Sequence, residues 1–190
     1  MTQSSAATAQ NDSNLIPATD LVTVSRAVAD LRRGEIVLVQ GHHNGEAHSV
    51  AVIAAEPLSQ HGFERLCDIT ANGAAPAIVI PRVRAKSLGR ACKDDAFIAF
   101  VSQNQSDINA DRLGEIANPL LDLDKLPNGD WRPVSMAETA AIRLAKLARL
   151  LPAVVTVAVG ADQLENLARG QNLLVLQSDS INGYENASAA

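Results

Sequence analysis

The sequence predicts an α/β (α+β sandwich) fold, in which a mixed β-sheet is flanked by helices. Three observations carry this. Short, continuous apolar runs recur along the chain at Ile36–Val39, Val50–Ala55, Ala77–Ile80, Ala96–Val101, Ala153–Val159 and Leu173–Leu176, the mark of strands buried on both faces. Segments with helical spacing alternate with them. The apolar share, 47% of 190 residues, is mostly Ala, Leu and Val, with aromatics at only 3%. A core of small aliphatics suits helices laid on a buried sheet.

The elements follow in order. Residues 1–22 are rich in Ser, Thr, Gln, Asn and Ala without hydrophobic period, and are expected to form a disordered arm. The domain is expected over 23–184. Ser25 caps a helix over Arg26–Arg33, and Gly34 supplies a left-handed stop. A strand at Ile36–Val39 leads into a polar loop, Gln40–His48, and a second strand follows. Pro57–Thr70 has helical spacing with Leu58, Phe63 and Leu66 inward, and Ala71–Pro76 is a turn. After the Ala77 strand, Val83–Leu88 is a short helix stopped by Gly89. The Ala96 strand is followed by a helix at Ile108–Ala117. Asn118–Pro133, with three prolines, Asn128-Gly129 and Trp131, reads as a long surface loop.

Ala137–Leu151 carries the clearest helical signal. Ile142, Leu144, Ala145, Leu147, Ala148 and Leu151 give one apolar face, and Arg143, Lys146 and Arg149 give the wet one. Pro152 ends it. Asp162 caps a helix to Arg169, and Ser178 caps a final turn to Tyr184. Residues 185–190 read as a tail or truncated linker. The sequence shows neither an internal repeat nor a second domain.

Composition excludes several classes. A net charge of −5 and a pI near 5.3 lack the basic stripe of a nucleic-acid binder. No uncharged apolar run approaches the roughly 20 residues of a membrane span, and no basic-then-apolar leader opens the chain. A cytoplasmic protein without membrane or nucleic-acid partners is expected. Cys67 and Cys92 form no CxxC pair, and read as packed small hydrophobes rather than nucleophiles. His42, His43, Glu46 and His48 form the one polar cluster that could bind metal, zinc, copper or nickel by its imidazoles; the alternative is a solvated loop. Arg82, Arg84, Lys86 and Arg90 could meet a phosphate, or line the exposed side of a short helix. His61 reads as a helix-surface residue, and Glu138 as a carboxylate favoured by a helix N-terminus.

Three stretches together resemble 3,4-dihydroxy-2-butanone 4-phosphate synthase over about Val24 to Tyr184. They are 27–39 (AVADLRRGEIVLV), 52–56 (VIAAE) and 139–153 (TAAIRLAKLARLLPA). The last is similar to that family's T-E-A-A-V-D-L-A-R-L-A-G-L-x-P-A helix. The resemblance implies an enzyme that holds divalent metal and a sugar phosphate on an R-E-x-E-G-D loop and a G-H-T-E-A helix start. Its carboxylates and metal pair take formate from ribulose 5-phosphate, chemistry that needs converging oxygen ligands and acid–base groups within reach. Here Gly45 stands at the arginine. Glu46 keeps one carboxylate, while His48 and Val50 replace the next two acids. Ala137 stands at the metal-binding histidine and Thr139 at the glutamate. The stretch carrying the family's middle substrate contacts is shortened into Asp94–Asp130.

The resemblance therefore implies a chain without catalytic or cofactor-binding residues, Glu46 being a vestige and Glu46 with His48 the residual metal candidates. It is nearest to the degenerate synthase-like domain at the front of certain bacterial GTP cyclohydrolase II proteins in riboflavin biosynthesis. No cofactor is expected in this chain. Magnesium would serve residual synthase activity, and zinc would belong to a cyclohydrolase domain outside it. A homodimer is implied, with helix 137–151 contributing, and a cyclohydrolase II domain as partner in cis or trans.

Overall fold

A computed structural model describes residues 18–70, 73–91 and 96–188. Among these described residues, seven strands form one sheet in the order β5-β4-β3-β6-β2-β1-β7. They are β1 (Val37–His43), β2 (Glu46–Ala54), β3 (Ala77–Pro81), β4 (Phe97–Ser102), β5 (Gly129–Arg132), β6 (Val154–Val159) and β7 (Val175–Gln177). Six neighbouring pairs hold the sheet together. Only β1 with β7 is parallel; the other five are antiparallel. The expected mixed sheet flanked by helices is thus the architecture found.

Both faces of the sheet are covered, which is why its strands read as unbroken apolar runs. Alternation along each strand divides the core in two. Val37, Val39, Val50, Val52, Val79 and Val154 face α1 (Ala18–Arg32), α5 (Met136–Leu147) and α7 (Ser178–Ser188). Leu38, Ile53, Ile78, Ile80, Val155 and Val157 face the opposite layer, which holds α2 (Gln60–Asp68), α3 (Arg82–Ser87), α4 (Ala110–Ala117) and α6 (Ala161–Gly170). Ile53 and Ile142 are fully buried, and burial of one such side chain contributes roughly 1.5–3 kcal/mol. The small aliphatics let the layers approach closely. A Cβ on Gly41 of β1 would lie 3.0 Å from the backbone nitrogen of Ala137 in α5.

Several expected boundaries shift. The first helix starts at Ala18, inside the segment expected as an arm, because Val24, Ala27 and Leu31 make a buried stripe that anchors a longer helix; the arm's first 17 residues lie outside the described residues. Gly34 ends this region at φ +73°, where a Cβ would stand 2.9 Å from the Pro57 carbonyl oxygen. The polar loop Gln40–His48 is instead a β-hairpin. β1 runs to His43, β2 starts at Glu46, and the two residues between carry positive φ, Asn44 at 52° and Gly45 at 83°, as a type I′ turn requires. Its Asn-Gly pair was the local signal for that hairpin. Asn118–Pro133 is not all loop: β5 pairs with β4, and Trp131 packs against Phe100 at a tilt of 58° with ring centroids 5.1 Å apart. A four-residue edge strand containing Gly and Asp carries no apolar run to reveal it. The expected tail also folds further than Tyr184, since α7 extends to Ser188.

The basic cluster on α3 is not uniformly exposed. Arg84 is buried, and donates to the carbonyls of Glu115 (3.0 Å), Ile116 (2.8 Å) and Leu121 (2.9 Å) and to Ser87 Oγ (3.2 Å). It therefore satisfies the open carbonyls at the end of α4, where the sequence reading placed it on a wet face. Cys67 behaves as expected: it packs beside the core, and burial, with Asp68 and Glu64 nearby, pushes its thiol up. Cys92 lies outside the described residues.

α5 stops at Leu147, before Pro152. Arg149 takes the left-handed conformation (φ 58°), Arg149 N donates to Lys146 O (2.9 Å), and Leu150 N to Ala145 O (3.0 Å). This is a Schellman end with arginine where glycine is usual. Arg149 is exposed, so its side chain offsets little of that conformational cost. Arg149→Gly should raise stability by about 1 kcal/mol, read as a higher urea midpoint at unchanged slope. Arg84→Met should lower it by about 2 kcal/mol by stranding buried carbonyls, measured in the same titration.

Candidate functional site

A cleft of about 420 Å³ opens where β2, β6 and the start of α5 meet, lined by His48, Val50, Arg132, Pro133, Ser135, Glu138 and Ala158. It lies at the C-terminal end of β6. Gly41 and Val50 bring the hairpin against it, since the register pairs Gly41 with His48 and Val39 with Val50.

At its floor sits Glu138, only 1% exposed. Ser135 caps α5, its Oγ accepting from Glu138 N (3.2 Å), while Glu138 Oε2 accepts from Ser135 N (2.8 Å). This is a capping box. The same carboxylate receives Arg132 from β5 in bidentate fashion, Nη1 on Oε2 at 2.9 Å and Nη2 on Oε1 at 2.7 Å. Thr156 of β6 completes it, Oγ1 donating to Oε1 at 2.9 Å. Each oxygen thus accepts two hydrogen bonds, the full capacity of a carboxylate.

Burial alone would raise the Glu138 carboxyl. The hydrogen bonds from Arg132, Ser135 and Thr156, with the Arg132 charge, outweigh it and hold the group below the usual carboxylate range. A carboxyl depressed in the folded state stabilises the fold above its unfolded pKa, and that stability is lost as pH falls through the folded value.

The sequence-predicted candidates divide. Glu46 and His48 share one face of β2, two residues apart, with Glu46 exposed and His48 half-buried on the cleft. His42 is on the opposite face of the hairpin, because Gly41 points toward α5 and the faces alternate. His42 is therefore set apart from Glu46 and His48 by the strand geometry that replaced the expected loop; the side chain of His43 lies outside the described residues. Among the described residues, no group of three or more His, Cys, Asp or Glu could hold a metal ion. Ala137 is fully buried and offers no ligand atom. Thr139 Oγ1 is turned back to Ser135 O at 3.0 Å. His61 is exposed on α2, as expected.

The reading of Glu138 as a helix-terminal carboxylate was correct in place and incomplete in partners. The Ser135-x-x-Glu138 pattern signals the capping box. Nothing local links Arg132 or Thr156 to it, because one lies on an unrecognised edge strand and the other is 18 residues away across the sheet.

The fold resembles that of solved 3,4-dihydroxy-2-butanone 4-phosphate synthases. The fold matches a synthase of that name in complex with two magnesium ions (TM-score 0.63, 16% identity, 87% of this chain and 97% of that one). It also matches the enzyme of Candida albicans (0.62, 18%, 85% and 96%), and RibBX, a two-domain synthase from A. baumannii (0.61, 21%, 83% and 56%). In sequence the chain is similar to a GTP cyclohydrolase-2 of Azospirillum brasilense, 31% identical over 172 residues. That alignment takes in 85% of this chain and 42% of the relative, so the chain spans less than half the relative's length. No family model matches. Among the described residues, no helix is long and apolar enough to cross a membrane.

Glu138→Gln should destabilise the protein at pH 7 by about 2 kcal/mol, less than for a wholly buried pair because the Arg132 side chain stays 43% exposed. The gap to the parent protein should hold down to the unfolded carboxyl value, about 4.3, and narrow below it. Denaturation midpoints across that range check both statements.

Proposed function

We propose that this chain is a catalytically degenerate synthase-like domain of a riboflavin-biosynthesis GTP cyclohydrolase II protein, acting in the cytoplasm as a structural and dimerising module with a cyclohydrolase domain as its partner. The observation that carries this is the saturated Glu138 carboxylate. Magnesium takes oxygen ligands in near-octahedral geometry, and at the start of α5 the one buried carboxylate has every acceptor position occupied by protein donors. Its neighbours Ala137 and Thr139 supply neither an imidazole nor a second carboxylate. The remaining candidates, Glu46 and His48, are one acid and one imidazole on a single strand face, too few to hold a metal pair and move protons as well. The sequence relative carries the cyclohydrolase name, which supports the assignment to that context.

A second reading is supported by the cleft itself, which remains about 420 Å³ in volume: a non-catalytic sensor that binds a small molecule without turnover. Weak synthase activity through Glu46 and His48 is the third reading, and the same assay decides it.

Purified chain with ribulose 5-phosphate and magnesium should release no more formate than the Glu46→Ala variant. Formate above that control, from folded protein, defeats the degenerate reading. Thermal shifts with ribulose 5-phosphate, GTP and flavins test the sensor, and a flat response to all three removes it.

A further inference from the structure

The sequence holds four Asn-Gly pairs, at 44–45, 72–73, 128–129 and 182–183. In such a pair the glycine backbone nitrogen can attack the asparagine side-chain carbon, because no Cβ obstructs the approach. The fold decides the outcome by how firmly it holds the peptide between the two residues. Asn72 lies outside the described residues. The other three pairs sit in three different settings.

At Asn128 the backbone carbonyl accepts from Gln103 N (2.9 Å) and Ser102 Oγ (3.4 Å). Gly129 is packed so closely that a Cβ there would stand 2.4 Å from Val101 O and from Phe100 Cζ. Turning this peptide toward ring closure would break bonds that join β5 to β4. Asn182 and Gly183 lie inside α7, where the peptide N–H groups belong to the helical ladder. The Asn182 amide is held as well, its Oδ1 accepting from Arg143 Nη1 at 2.6 Å.

The pair at 44–45 is held by neither device. Both residues are exposed at the tip of the β1–β2 hairpin. The ladder between the strands closes at His43 with Glu46, so the peptide joining Asn44 to Gly45 can swing without parting a strand pair. A Cβ on Gly45 would meet no described atom within 4 Å. Open space therefore surrounds the attacking nitrogen.

We propose that Asn44 is a self-modification site, which deamidates in the folded protein and thereby loosens the hairpin that walls the cleft. The Gly45 nitrogen bonds to Asn44 Cγ and the Cγ–Nδ2 bond breaks. Nδ2 leaves as ammonia, carrying the proton given up by the Gly45 N–H, and a succinimide ring remains. Water then opens the ring at either carbonyl. Breaking the new N–Cγ bond leaves aspartate. Breaking the bond from the Gly45 nitrogen to the Asn44 backbone carbonyl carbon leaves isoaspartate, whose main chain is one atom longer. No atom is oxidised or reduced, and either product adds a carboxylate to the turn. A two-residue turn sets strand register through its own geometry, and an extra backbone atom removes that match. His48, the cleft residue nearest the turn in sequence, is held through its register with Gly41. That wall of the cleft is the first to lose order.

Timed incubation of the full chain at neutral pH, followed by peptide mapping with mass spectrometry, tests this. In folded protein Asn44 should convert at least about 10-fold faster than Asn128 and Asn182. In urea the three rates should converge, since the fold no longer protects two of them. Gly45→Asn tolerates positive φ; it should keep the native circular dichroism and slow conversion at Asn44 about 10-fold. An intact Asn44, or equal rates at the three positions in folded protein, overturns the site. The converted chain, separated by anion exchange, should exchange the amide hydrogens of residues 46–48 about 10-fold faster than the parent protein. Unchanged exchange overturns the effect on the cleft wall. None of these outcomes depends on the formate assay, which tests the catalytic reading alone.

Discussion

The Glu138 carboxylate is the point on which the organisation of the cleft depends. A carboxylate this deeply buried is tolerable only when its charge is matched and its lone pairs are filled. Meeting that demand draws donors from three separate places: Arg132 on the sheet edge, Ser135 at the helix cap and Thr156 on the central strand. The demand is geometric as well as electrostatic. It sets where α5 begins, how the β5 edge approaches it, and which face of β6 bears a polar residue amid valines. The floor of the cleft is therefore a by-product of satisfying one buried charge.

Ligand binding and structural satisfaction make opposite demands on such a group. A metal-binding carboxylate must present open lone pairs to the cleft, and a structural one must close them. In Glu138 they are closed. The aliphatic core on both sides of the sheet is formed by other residues, so the fold does not depend on which of the two roles the strand-end residues play. This separation of scaffold from site is general to folds that host varied chemistry.

Most of the architecture was legible in the sequence because the buried strands are written as continuous Val, Ile, Leu and Ala, and the helices between them as stripes such as Phe63 and Leu66. What escaped was whatever owes its conformation to distant partners. β5 is a strand because β4 lies beside it, and its own four residues carry no β pattern. Arg84 looked like one member of a basic run. Its burial comes from the end of α4, more than 30 residues later. The hairpin at Asn44-Gly45 was readable from its turn residues, yet the polar, His-rich flanks disguised its strands as loop. The site was legible as a list of residue types at Glu46, His48, Ala137 and Glu138. The Arg132 and Thr156 contacts, which decide what Glu138 can do, are properties of the assembled sheet.

The two ends of the sheet are both short. Open backbone donors and acceptors along a sheet margin invite another chain to add itself, and long flat margins are where soluble proteins begin to aggregate. Here the outermost strands have four and three residues, β5 and β7. The β5 margin carries Asp130 and the bulky, paired Arg132, and β7 passes directly into α7. Little ladder is left at either end for an intruding strand to copy. A protein whose seven-stranded sheet is rich in valine and isoleucine is thereby protected from growing into a fibril, and any encounter between copies is directed to side chains in place of backbone.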